Sequence, residues 1–215
     1  MIRGLCLLTM LGGLALLGVV AWQTWGTDVA ANHQQDQASD QLRQDWTDDG
    51  VAAVAQTGEG FAFLHIPRLG PEWVKAVIEG VDEDTLLAGP GHFPGTAMPG
   101  EVGNFAMAGH RVGGGAYFNE LDELQAGDAV VVETVDTWFV YRVTDSSIVT
   151  PETVNVVYPV PGGTMDDVPT QAVLTMTTCN PEFSNAERLI VHALLESSVS
   201  KAEAPHGPPA LTDRV

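Results

Sequence analysis

Cys179 closes the run Ala172-Val173-Leu174-Thr175-Met176-Thr177-Thr178-Cys179-Asn180-Pro181, an apolar-to-threonine stretch that reads as a β-strand ending in a thiol. Arg188 follows nine positions later and opens a second strand-like run over residues 188–195. A strand, a loop and a return strand would bring these two side chains together. A guanidinium there can give two hydrogen bonds and a permanent charge to a developing oxyanion, and a cation beside a thiol favours the thiolate. The plainer reading of Arg188 is a salt-bridge partner at a strand start.

Acyl chemistry at a thiolate also needs an acid/base group. His110 is the best histidine for that role: it ends the strand-like stretch 104–109 and enters Gly113-Gly114-Gly115, which places an imidazole at a sheet edge beside flexible backbone. The alternative is a surface histidine at a loop start. His92 lies in the turn-rich Gly89-Pro90-Gly91-His92-Phe93-Pro94-Gly95-Thr96 and is a candidate to line a site. Thr177 and Thr178 are candidates to hydrogen-bond a substrate backbone, with strand formation as the competing role. His65 and His192 sit inside strands and read as structural; His33 and His206 fall near the ends. No histidine pair has metal-ligand spacing and Cys179 has no second thiol near it, so no metal and no cofactor are expected. The glycine loop lacks a Gly-Lys-Ser/Thr ending and is not a phosphate cradle.

These residues must be positioned by about 140 residues of domain, between two ends of different character. From Gly4 to Thr27 no residue is charged, and the apolar run 5–25 would span ~30 Å as a helix, enough for a bilayer core. Trp22 and Trp25 fall at its outer end and Arg3 precedes it, so residues 1–26 are expected to be a cytoplasmic start and a single transmembrane anchor. The rival is a cleaved signal peptide, with Val29-Ala30-Ala31 as the small-residue site. Residues 27–58, rich in Gln, Asp, Ala and Asn, read as an extracellular stalk or linker, partly helical at best. Residues 197–215, with Pro205, Pro208 and Pro209, read as a disordered tail. Cys6 lies in the apolar run, so it is a poor disulfide partner for Cys179.

The formal net charge is −19, with Lys75 and Lys201 the only lysines, which argues against nucleic-acid binding. Over residues 59–196 the pattern is β. Strands are expected at 61–66, 73–78, 104–109, 129–134, 138–143, 172–178 and 188–195, with short helices at 82–88 and 117–124. Many strands of similar length with turn signals suggest an all-β closed or nearly closed barrel.

Leu174-Thr175-Met176-Thr177-Thr178-Cys179 followed by Arg188, with Ala108-Gly109-His110-Arg111 upstream, resembles the sortase family. So does Gly89-Pro90-Gly91-His92-Phe93-Pro94-Gly95-Thr96-Ala97-Met98-Pro99-Gly100 before Gly103-Asn104. The threonine-rich approach to the cysteine, then Asn180-Pro181-Glu182-Phe183-Ser184, is most similar to class E sortases of actinobacteria. The resemblance covers about residues 60–196. It implies an eight-stranded barrel and a membrane-bound transpeptidase on the outer face of a Gram-positive cell. Cys179 would be the nucleophile, His110 the general acid/base and Arg188 the oxyanion stabiliser. The implied substrates are surface proteins with a C-terminal Leu-Ala-x-Thr-Gly-type sorting signal. The implied acceptor is an amine of a peptidoglycan precursor or of a pilin.

Two other classes compete. An L,D-transpeptidase would place its cysteine in a serine/glycine-rich run with a histidine close upstream, which Thr177-Thr178-Cys179-Asn180 does not match. A catalytically inactive, membrane-anchored interaction module would have no need of the complete set His110, Cys179 and Arg188.

Overall fold

The computed structural model describes residues 10–16, 18, 27–48 and 56–212. Among them eight strands close into a barrel: β1 (Gly60–His65), β2 (Val74–Glu79), β3 (Gly91–His92), β4 (Gly103–Ala108), β5 (Ala129–Glu133), β6 (Thr137–Val149), β7 (Ala172–Asn180) and β8 (Glu187–Ser200). The order around the barrel is β1-β2-β3-β4-β7-β8-β6-β5, and β5 returns to β1. The pairs β2/β3 and β4/β7 are parallel and the rest antiparallel.

The period-2 alternation of a strand sends every second residue inward. Ala62 and Leu64, Phe105 and Met107, Val130 and Val132, Tyr141 and Val143, Leu174 and Met176, and Leu189, Val191 and Ala193 meet in one buried cluster. Phe118, Leu121 and Leu124 close it from the stretch expected as a helix over 117–124, which forms only the 3-10 turn Leu121–Glu123. The expected helix near 82–88 is present as Glu83–Ala88, with Asp82 as its N-cap, its carboxylate accepting from the Thr85 N–H.

The stretch expected as a stalk behaves differently. Thr27–Asp48 is a 22-residue helix, α1, laid on the outer face of β1 and β2. Ala31, Gln35, Ala38, Leu42 and Trp46 recur at helical spacing and form the docking stripe; Leu42 packs with Phe63, Ala76 and Ile78. Glu83–Ala88 is α2, and it packs against α1.

Gln35 explains how so polar a helix docks. β2 pairs with β3 over only two positions, which leaves part of its edge to be satisfied elsewhere. The buried Gln35 amide takes that place: Oε1 accepts from the Ala76 N–H at 2.6 Å, and Nε2 donates to Ala76 O at 3.2 Å and to Ala88 O at 2.5 Å. Gln35→Ala leaves buried backbone groups unpaired, so the urea midpoint should fall by the equivalent of about 2 kcal/mol. An unchanged midpoint would show that α1 does not depend on this contact.

The C-terminal stretch expected as disordered is also built in. β8 continues to Ser200, and a 3-10 turn, Pro209–Thr212, buries Ala210 against β5 and β6. Trp138 Nε1 donates to Ala204 O at 3.1 Å. Lys201 Nζ lies 2.7 Å from Glu133 Oε1 and 4.1 Å from the centre of the Trp46 ring, joining tail, barrel and α1. Burial alone would raise the Glu133 carboxyl, but hydrogen bonds from His65 and Lys201 outweigh it and hold the group below its usual range.

The apolar run 5–25 falls largely outside the described residues. Residues 10–16 and 18 are helical. Among the described residues no helix is long and apolar enough to cross a membrane.

Candidate active site

The site is assembled by strand register. In the parallel β4/β7 pair, Ala108 stands beside Thr177. Two residues further along each chain are His110 and Cys179. The junction is tied twice: the Gly109 N–H donates to Thr177 O at 3.1 Å, and Thr178 Oγ1 donates to Gly109 O at 2.8 Å. On the other side of β7, in the antiparallel β7/β8 pair, Cys179 is directly opposite Arg188. Opposed residues of an antiparallel pair point to the same face of the sheet.

His110 and Cys179 line one open cleft of about 550 Å³, together with Arg111, Val112, Phe183, Ser184 and Asn185. Cys179 is a free, partly buried thiol. Burial lowers the pKa of the half-buried His110, and the negative charge of Glu83, at the start of α2, works in the opposite sense. The imidazole is backed by the glycine loop. Gly114 has φ +56°, and a Cβ there would lie 2.7 Å from His110 Cδ2, so only glycine fits. The loop is fixed in turn by α1: Asp28 Oδ1 accepts from the Gly115 N–H at 3.1 Å, and the Tyr117 hydroxyl shares its proton between Ala31 O at 3.0 Å and Leu87 O at 2.9 Å.

Arg188 faces the same region but is differently engaged. Its Nη1 donates to Asn185 O at 3.1 Å and to Glu187 O at 2.9 Å, so the guanidinium holds the β7–β8 loop and does not line the cleft in this form.

The other candidates lie outside the cleft. Thr178 is 3 % exposed and its hydroxyl is committed to Gly109 O. Thr177 is 9 % exposed and contributes its carbonyl to the β4/β7 junction. Neither is among the residues that line the cleft. His92 is buried in β3, with Nδ1 2.5 Å from Glu79 Oε2 and Nε2 2.8 Å from Thr96 Oγ1. Both ring nitrogens are occupied, so His92 ties β2 to the β3–β4 connection. Among the described residues no group of three or more His, Cys, Asp or Glu could hold a metal ion.

Phe183, Asn185 and Arg111 also line the cleft, and the sequence assigned them no role. Phe183 is 82 % exposed at φ +62°, an unusual backbone state for an aromatic residue, and it forms part of the rim with Asn185. Arg111 is 5 % exposed beside His110. Its only signal in the sequence was its place next to the histidine.

A family model described as a sortase domain matches residues 64–196. Sortase SrtE1 of Streptomyces coelicolor is 38 % identical over 188 residues, covering 83 % of this chain and 53 % of that protein. The chain thus spans about half the length of that relative. Sortase SrtE2 of the same organism is 32 % identical over 200 residues, covering 86 % of this chain and 78 % of the relative. Among solved structures, the SrtF sortase from Corynebacterium diphtheriae superposes with a TM-score of 0.69 at 38 % identity, covering 74 % of this chain and 95 % of that one. Sortase E from Streptomyces avermitilis gives 0.64 at 39 % identity, covering 73 % and 99 %.

Proposed function

The chain belongs to the sortase family, and we propose that it is a membrane-anchored cysteine transpeptidase acting on surface proteins that carry a C-terminal Leu-Ala-x-Thr-Gly-type signal. The observation that carries this reading is the register that sets His110 and Cys179 on one cleft with Arg188 opposite the cysteine.

The Cys179 thiolate attacks the threonine carbonyl carbon, and the carbonyl π pair moves onto oxygen. Arg188 turns from the loop carbonyls to that oxyanion. Collapse re-forms the carbonyl and breaks the Thr–Gly C–N bond as the His110 imidazolium gives its proton to the leaving glycine nitrogen. The thioester keeps the acyl group activated. An incoming amine, from a peptidoglycan precursor or a pilin, then attacks the thioester. It passes a proton to neutral His110, and the Cys179 thiolate leaves. The apolar run 5–25 supports a single-pass anchor with the barrel outside the cell. Such a tether keeps enzyme, substrate and wall material in one thin layer and raises their effective concentration.

The test is to incubate the protein with a Leu-Ala-x-Thr-Gly peptide and an amine and follow the products by mass spectrometry. An amide joining threonine to the amine, through an adduct on Cys179, is expected; cleavage without any Cys179 adduct would overturn the reading.

The acid role of His110 has a pH signature. Glu83 favours the imidazolium, so Glu83→Gln lowers the His110 pKa further. The limb of the pH–kcat profile set by His110 should move to lower pH, and turnover at neutral pH should fall as the imidazolium becomes scarcer. Glu83 is exposed, so added salt should shrink the difference. A shift to higher pH would contradict the assignment.

A further inference from the structure

We propose that Asn180 is a positioning residue: its side-chain amide clamps together the three chain segments that carry His110, Cys179 and Arg188. The inference rests on the reading of those three residues given above.

The observation is a line of polar contacts running one residue away from each of them. Arg111, next to His110, donates through Nη1 to Asn180 Oδ1 at 3.2 Å. Asn180, next to Cys179, donates through Nδ2 to Glu187 Oε2 at 2.8 Å. Glu187 is next to Arg188. The far end of Arg111 is held by Asp122, with Nη2 2.7 Å from its Oδ2. A second tie runs alongside: Asn119 Nδ2 donates to Arg111 O at 2.9 Å and to Glu182 Oε1 at 3.3 Å. The β4/β7 junction fixes His110 relative to Cys179 through backbone. The Asn180 amide reaches from the His110 segment across the end of β7 to the start of β8.

Chemistry gives the amide a single orientation. A guanidinium only donates and a carboxylate only accepts. Oδ1 must therefore face Arg111 and Nδ2 must face Glu187, because a flipped amide would set donor against donor and acceptor against acceptor. An amide pinned in this way fixes the end of β7, where the thiol sits, in both directions. Core packing does not account for the arrangement. Arg111 is a buried cation whose Nε has no hydrogen-bond partner, which is destabilising. Local rules broken without a stability gain are a mark of a functional site.

Reversing the polarity of one contact makes the test. Asn180→Ala removes both bonds; Asn180→Asp keeps the acceptor for Arg111 but sets a carboxylate against Glu187. Adding Glu187→Gln to Asn180→Asp restores the line, with the donor now at position 187. Steady-state transfer to an amine, thermal midpoint and the rate of Cys179 alkylation by iodoacetamide are read on the full chain. Expected are a roughly tenfold fall in kcat for Asn180→Ala and Asn180→Asp with KM within about twofold, and a return to within about threefold of wild type in the double variant. A merely structural residue would change the thermal midpoint without this split and without rescue. Wild-type kcat in Asn180→Ala, or a double variant no better than Asn180→Asp, overturns the proposal. Should Asn180→Ala not fold, the Asn180→Asp pair still decides. A wild-type protein that transfers no peptide overturns the reading of the site itself, and alkylation rates across the same variants then judge the clamp alone.

Discussion

Cys179→Ala should yield a folded protein with no detectable acyl transfer, a loss of at least ~10³-fold, because the thiolate that forms the covalent intermediate is gone. Among the described residues Cys179 is the free cysteine, and the cleft offers no second thiol. The side chain lies at the strand end, outside the buried core cluster, so the substitution removes little packing and the thermal midpoint should stay within a few degrees. Intact-mass measurement supplies a second check: wild type incubated with peptide gains the acyl mass, hydroxylamine removes it, and the variant never shows it. Residual transfer in Cys179→Ala would mean that the peptide bond is broken by direct attack of water or amine, with His110 acting as base. The cleft would then work by direct displacement and the thioester would have no part in it.

The strands that carry the site were the legible part of the sequence. Strand runs ending at Ala108-Gly109-His110 and Thr178-Cys179, and one starting at Arg188, mark which strand ends carry the three side chains, while the parallel β4/β7 pairing that brings the first two ends together comes from the fold. β3 was not legible: Gly91–His92 is two residues long, has no alternation to read, and exists because β2 and β4 offer it partners on both sides. α1 was hidden for another reason. Its docking stripe dilutes Leu42 and Trp46 with Ala31, Gln35 and Ala38, so its apolar signal is thin, and part of its binding rests on the amide of Gln35, whose value depends on an unpaired strand edge that only the tertiary fold creates. The tail was judged from its prolines, which bound the turn that buries Ala210. His92 shows the limit of motif context. Its turn-rich surroundings suggested a loop that lines a site, while Glu79, thirteen residues earlier, draws the ring inward. The Arg111–Asn180–Glu187 line needs three separate segments and cannot be seen before they are brought together.

Arg188→Lys should cost about 10²-fold in kcat while leaving the fold intact. In the resting form Nη1 of Arg188 binds Asn185 O and Glu187 O, so two roles compete: holding the β7–β8 loop, or stabilising the oxyanion. The two separate cleanly. A lysine ammonium carries the same charge and three donors, so it can still satisfy loop carbonyls; what it lacks is the planar fork that can meet an oxyanion while keeping a second contact. If Arg188 only holds the loop, Arg188→Lys should be mild, and any loss should appear in KM, because Phe183, Ser184 and Asn185 on that loop line the cleft. If it stabilises the oxyanion, the loss appears in kcat with KM nearly unchanged, since the interaction exists in the transition state and not with bound substrate. Position favours the second outcome: the register sets Arg188 opposite Cys179, and a loop clasp could have been supplied from any residue of the β7–β8 connection. A variant with near-normal kcat and raised KM would return Arg188 to the loop and leave the oxyanion to backbone N–H groups at the end of β7.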